Sequence, residues 1–455
     1  MSLNLASDEE GWLGPIVDGP LFGGGRRRAL SRLLVRGGCV LTMDSKVGNH
    51  RQADVLIEDG VITEIGSNLR ARNAEVIDAT DCIVMPGFVD THRHLWESLF
   101  RGHDGLGDLG SLGPHYTDDD VYAATLVGLL GALEAGITTV VDWAQVRSEH
   151  LNAALQAHAD AGVRSVLVHA LPGWAEEDLE TAVEDLAARP PRPHTDFAAG
   201  PPAGASDPQH SAEEWGLCRS SGLRIHAHIG GDRSEQGAAA ALGAAGLLGS
   251  DVTLIHCSSL TDADFDAISA ASAGVAIAPA AEMAMGHEPP PMQRMIDRGI
   301  RPGLATATER LAPGDLFAPM RAAISVQHAT HFDLKLAGKG GLPSLLTTRE
   351  VIRYATIDGA RAVGLDAVTG SLSPGKQADL IVLRADRPNI APVNDPIGAV
   401  VWGMDTSNLD WVVVGGHIRM REGRLEADFP RIRTLALEAR SRVAQAAGIL
   451  TGVEA

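Results

Sequence analysis

Pro86-Gly87-Phe88-Val89-Asp90-Thr91-His92-Arg93-His94 is an apolar run that ends in two histidines one residue apart. Successive side chains of a strand alternate between faces, so His92 and His94 are expected to point the same way and to grip one ion. From residue 83 to about 330 the chain repeats a unit of this kind: a short apolar run, a polar or Gly-rich turn, then a helical pattern. The strand candidates are Ile83 to Val89, Ile137 to Asp142, Arg164 to His169, Asp196 to Ala199, Leu223 to His228, Val252 to His256, Gly274 to Ala278 and Arg301 to Thr306. Eight strand-then-helix units of this total length predict a closed (β/α)8 barrel of the TIM type, whereas an open doubly wound sheet normally uses fewer strands. The fourth strand, caught between Pro190–Pro193 and Gly200-Pro201-Pro202, has the least certain limits.

Both flanks read as β-structure: Leu33 to Met43, Ala53 to Ile65 and Ala74 to Asp78 before the barrel, then Leu380 to Leu383, Trp411 to Val414 and His417 to Met420 after it. Neither flank is long enough to stand alone, so one small β-sandwich-like domain built from both chain ends is expected. The expected organisation is an irregular arm over 1–30, a small β-domain over 31–82 plus 366–425, the barrel over 83–365, and a C-terminal helix over 426–455, its helical pattern running from Phe429 to Ala447.

Composition narrows the function. A formal charge of −20, from 58 acidic and 38 basic residues, argues against nucleic acid, whose recognition needs a basic surface. Cys39, Cys82, Cys218 and Cys257 are scattered, without a CxxC pair, and read as buried thiols in a reducing compartment. Neither a secretion signal nor a membrane span is legible, so a cytoplasmic location is expected. Lysine is scarce and Arg, Ala and Gly are abundant, a bias that suits a high-GC bacterial genome.

The chemistry-bearing residues fall at strand ends. His226-Ala227-His228 closes the fifth strand and His256 the sixth, so separate segments deliver imidazoles to the C-terminal rim, where barrel enzymes place their sites. Imidazole suits zinc and also iron or another divalent transition metal, and three protein ligands with an open position is the catalytic pattern. No lysine lies between His92 and Arg310, which removes a carbamylated lysine bridge and favours a single divalent metal ion.

Together the barrel, the PGFVDTHRH segment, the fifth- and sixth-strand histidines and Thr369 to Leu383 (TGSLSPGKQADLIVL) resemble the amidohydrolase superfamily, in the branch of cytosine deaminase and the triazine chlorohydrolases. The resemblance spans nearly all of Leu33 to Leu425. It implies that His92, His94 and His228 are metal ligands, and that His256 binds the metal or holds a substrate oxygen or ring nitrogen. The implied activity is attack of metal-activated water on an electrophilic carbon with expulsion of nitrogen. An amide, a cyclic amide or an amino group of a small cyclic nitrogen compound would be cleaved; deamination or dechlorination of an N-heterocycle is the alternative.

Two departures stand out. Deaminases of the branch read HxxE after strand five, whereas Ile229, Gly230 and Gly231 follow His228; Glu282 after strand seven is the substitute acid to consider. The eighth strand ordinarily ends in an aspartate that takes the water's proton, a general-base role worth roughly 10² to 10⁴ in rate. Here Gly303-Leu304-Ala305-Thr306-Ala307-Thr308-Glu309 puts Ala307 in its place. Three explanations fit: an engineered exchange, favoured because the remaining site pattern is intact; a natural loss that leaves a catalytically silent metal or ligand binder; or a rearrangement in which Glu309 serves.

Around the expected site, Trp96 and Trp143 are candidate pocket walls, His169, Met283, Met285 and His287 candidate substrate contacts, and the Gly-rich loop Arg101–His115 a candidate lid. A small-molecule substrate is the expected partner, with no membrane or nucleic acid. The family resemblance suits a homo-oligomer, although no interface signature is legible.

Overall fold

Gly87 decides where one sheet ends and the other begins. In the computed structural model, which describes residues 21–22, 32–103, 109–170, 178–201 and 208–449, the run read as a single strand from Ile83 to Val89 divides there. Cys82–Pro86 belongs to a nine-stranded sheet and Phe88–Arg93 opens the barrel. A Cβ at Gly87 would fall inside the Thr138 side chain of the next barrel strand, so the crossing needs glycine for space.

The nine-stranded sheet joins β1 (Arg32–Val40), β2 (His50–Glu58), β3 (Val61–Gly66), β4 (Glu75–Asp78) and β5 (Cys82–Pro86) to strands from the far end of the chain: β14 (Leu380–Arg384), β15 (Leu409–Val414), β16 (His417–Arg421) and β17 (Arg424–Leu425). The two ends meet where β5 and β14 pair antiparallel, Val84 opposite Val382. Alternation then serves two cores at once. Val84, Leu380 and Val382 pack with Leu33, Val55 and Val413 in the sheet's own core, while Ile83, Met85, Ile381 and Leu383 join the large core beneath the barrel helices.

The barrel strands are β6 (Phe88–Arg93), β7 (Ile137–Ala144), β8 (Arg164–Ala170), β9 (Thr195–Gly200), β10 (Arg224–Ile229), β11 (Val252–His256), β12 (Gly274–Ile277) and β13 (Gly303–Leu304), each parallel to its neighbour. Val89, Val141, Val166, Val168, Ala198, Ile255 and Ala276 fill the interior. The eighth strand is far shorter than the Arg301–Thr306 expected, yet the ring still closes. Ala307 donates its amide to the His92 carbonyl at 3.0 Å, and His94 donates to the Ala307 carbonyl at 2.8 Å.

The last helix runs from Phe429 to Ala447 as its pattern indicated. Asp428 caps its first turn, and Gly448 ends it in the left-handed conformation. Arg442 ties it to Asp120, at the start of the helix Asp118–Glu134, at 2.6 Å. The expected N-terminal arm lies largely outside the described residues, as do positions 104–108 of the Gly-rich loop and Pro202 of the turn after the fourth strand. No helix among the described residues is long and apolar enough to cross a membrane.

Candidate metal centre

Four imidazoles meet at the C-terminal rim. The Nε2 atom of His92 lies 3.1 Å from that of His94 and 3.2 Å from that of His228. Ligand atoms of His92, His228 and His256 all fall within 4.8 Å of one another, the one such grouping of His, Cys, Asp or Glu among the described residues.

His228 arrives by strand alternation: on β10, Ile225, Ala227 and Ile229 face the helices while His226 and His228 face inward. His256 arrives differently. Its predecessor Ile255 already faces the interior, so alternation alone would turn His256 outward; instead His256 and Cys257 have φ of +79° and +60°, and this left-handed turn redirects the imidazole. Glu282 holds it from behind. Its carboxylate accepts from His256 Nδ1 at 3.0 Å and from the Ala278 amide at 2.9 Å, leaving Nε2 for the centre.

Burial, reinforced by the neighbouring imidazoles, holds His92 and His228 well below the ordinary histidine range, and His94 is lowered to about 4. These rings stay neutral near pH 7, with lone pairs available to a cation. His92 Nδ1 and His94 Nδ1 are buried without a hydrogen-bond partner. The crowding of neutral donor nitrogens is the chemistry of a metal site, and the four rings fit a divalent ion.

The walls are mixed. The Trp143 ring stands 4.4 Å from His228 and 5.6 Å from His92, centroid to centroid. His287 packs edge-on to His256 at 5.0 Å, beside Gly231, where an added Cβ would approach its Cε1 at 3.7 Å. Met285 packs on Ala278, Ala281, Ala305 and Ala307, and Met283 is exposed. Trp96 is buried against Tyr116, whose hydroxyl donates to the Trp96 carbonyl.

Other expected residues are not brought to the centre. His169 lies between Val168 and Ala170, which face the interior, so its ring faces out, with Nε2 3.4 Å from the Val146 carbonyl. Glu309 turns away to Arg93 at 2.9 Å and Arg101 at 2.7 Å, because the chain leaves the strand after Ala307, where φ is +56°. Glu282 serves as the support of His256 described above. One residue escaped the sequence reading altogether. Glu97 sits 3.7 Å from His94 Nδ1 and accepts from the Thr308 hydroxyl at 2.6 Å, and burial raises its pKa to about 7. Its spacing of three from His94, one helical turn, was the available signal.

A family model described as "Amidohydrolase family" matches residues 83–419, and the chain belongs to that family. Among similar curated proteins, a 5'-deoxyadenosine deaminase of Methanosarcina mazei is 28% identical over 426 residues, covering 87% of this chain and 94% of that one. A 5-methylthioadenosine/S-adenosylhomocysteine deaminase of Desulforudis audaxviator is 28% identical over 428 residues, covering 87% and 94%. Among solved structures, a zinc complex of an atrazine chlorohydrolase mutant from Arthrobacter aurescens superposes with a TM-score of 0.79 at 22% identity, covering 90% of this chain and all of that one. A zinc-bound adenosine deaminase from Xanthomonas campestris gives 0.78 at 18% identity, covering 91% and 98%. The protein is thus an amidohydrolase-family chain built on the barrel and two-ended sheet described above.

Proposed function

We propose that this protein is a hydrolytic deaminase of a small amino-substituted N-heterocycle, working with one divalent ion, zinc before iron. The observation that carries the reading is the convergence of His92, His94, His228 and His256 at the barrel rim. These four would hold the ion through their inward nitrogens. When bound, it would polarise the electrophilic carbon and acidify a water.

The chain's own residues do the rest. Glu282 positions His256 and fixes its tautomer. Trp143 brings an aromatic ring beside His228, and His287 stands beside His256, so a heteroaromatic substrate would meet aromatic neighbours at the centre. The adenosine-type names of the relatives support an aminated purine-like ring over a linear amide. Scattered thiols and the lack of a long apolar helix among the described residues support a cytoplasmic location.

Ala307 and Gly231 favour a second reading, a metal or ligand binder without turnover. One experiment separates the two: metal analysis, ammonia release from a panel of aminopurines and aminopyrimidines, and ring opening of cyclic amides, each for this chain and for Ala307→Asp. Release of ammonia by either protein supports the deaminase, with a gain of about 10² to 10⁴ expected in the aspartate form. Metal without turnover in both supports the binder, and turnover of cyclic amides alone moves the substrate class.

A further inference from the structure

Among the described residues, the carboxylates nearest the four imidazoles are committed behind them. Asp90 accepts from the Thr306 amide at 3.0 Å and hydroxyl at 2.6 Å and faces Arg93. Glu97 is held by Thr308, Asp142 by His158 at 2.9 Å, Glu282 by His256 and the Ala278 amide, and Glu309 by Arg93 and Arg101. Among the described residues, no carboxylate joins the grouping of His92, His228 and His256. After strands seven and eight, Ala278, Ala281, Ala305 and Ala307 form a small buried cluster of methyl groups with half-buried Met285 against them, and Ala307 is bonded through its backbone to His92 and His94. Ala307 cannot drift, since its amide and carbonyl are both bonded to the β6 backbone.

Charge balance gives this wall a consequence. Four neutral imidazoles would leave a divalent ion with both charges uncompensated by the described side chains gathered there. A buried charge without a partner is costly. We infer that the centre takes an external carboxylate, seated against the methyl wall of Ala305 and Ala307, as the anion that no described side chain supplies. The inference rests on the proposed role of the four histidines as ligands. Its ligand class is a small monocarboxylate, either free or carried by the N-heterocyclic substrate. Alanine and aspartate differ by one carboxylate group, which makes formate the matched probe and neutral formamide its control.

The test uses the chain as it stands, loaded with Co(II) and followed by visible absorption and thermal midpoint. Formate should shift the cobalt spectrum saturably and raise the midpoint; formamide should do neither, and Ala307→Asp, which brings its own carboxylate, should no longer respond. Protein that takes up no cobalt overturns the ligand assignment and this inference together. Cobalt uptake with a spectrum indifferent to formate overturns this inference alone. A second arm compares an aminopyrimidine with its ring-carboxylate derivative. If the derivative shifts the spectrum and formate competes with it, the carboxylate arrives on the substrate; if both ring compounds bind alike and formate still shifts the spectrum, the anion is a free one.

Discussion

Glu282 accepts a hydrogen bond from Nδ1 of His256 across 3.0 Å, and both side chains are almost wholly buried. The pairing assigns the His256 proton to Nδ1 and leaves Nε2 as a donor of electrons. An amide in place of the carboxylate keeps the shape and weakens this bias. Glu282→Gln is therefore expected to lower metal affinity by about 10- to 100-fold while the fold persists. Competition with a chelator of known strength would measure it; unchanged affinity would place His256 outside the ligand set.

Arg93 illustrates a different dependence. It is fully buried between His92 and His94, points away from the centre, and is neutralised by Glu309 at 2.9 Å and Asp90 at 3.5 Å. Removing Glu309 leaves a buried guanidinium with its weaker partner, and such breaks typically cost about 3–5 kcal/mol. Glu309→Ala should lose roughly 3 kcal/mol in urea unfolding, the low end because Asp90 remains. A loss below about 1 kcal/mol would mean that water reaches Arg93, as at exposed pairs.

What the sequence made legible follows the same physics. Strands that obey period-two alternation, such as β10 with His226 and His228 inward, and β14 with two buried faces, could be read from residue order. The inward face of His256 could be read only from its place at a strand end, because its left-handed backbone breaks the alternation. The same break at Ala307 sent Glu309 to Arg93, where a longer strand would have turned it inward. The partnership of Glu282 with His256 joins strands six and seven through side chains, and no spacing along the chain encodes it. The split at Gly87 was likewise hidden, since an apolar run looks the same whether it serves one sheet or two.

That split makes its own prediction. Any side chain at Gly87 must displace Thr138, which is fully buried. Overpacking of this kind costs about 1–3 kcal/mol. Gly87→Ala should be destabilised by that amount in denaturant unfolding, and Thr138→Ala in the same chain should recover part of it, because it removes the Oγ1 and Cγ2 atoms that lie closest. If the two losses simply add, the crossing has room that its geometry does not show.

Acid should destabilise the metal-free protein earlier than its carboxylates alone would dictate. Burial, its first cause, lowers His194 to about 4 and His226 to about 3, beside His94 at about 4; the free side chain titrates near 6.5. Between about pH 6.5 and 4 the unfolded chain therefore binds more protons at these sites than the native one, so stability is full above that window and falls as pH drops through it. Glu97 works the other way: raised to about 7 by burial, it costs stability as pH rises from its ordinary value toward 7. With His92, His228 and His287 also lowered, the histidines outnumber the raised carboxylates Glu97, Asp90 and Asp410, so the net slope should follow the histidines. His194 isolates the effect because it lies at the junction of barrel and sheet, packed on Gly415 and facing Arg164, Asp379, Arg419 and His417. Thermal midpoints of the metal-free protein should fall across this window, and His194→Gln should fall less steeply; parallel curves for the two proteins would show that His194 carries its proton in the folded state.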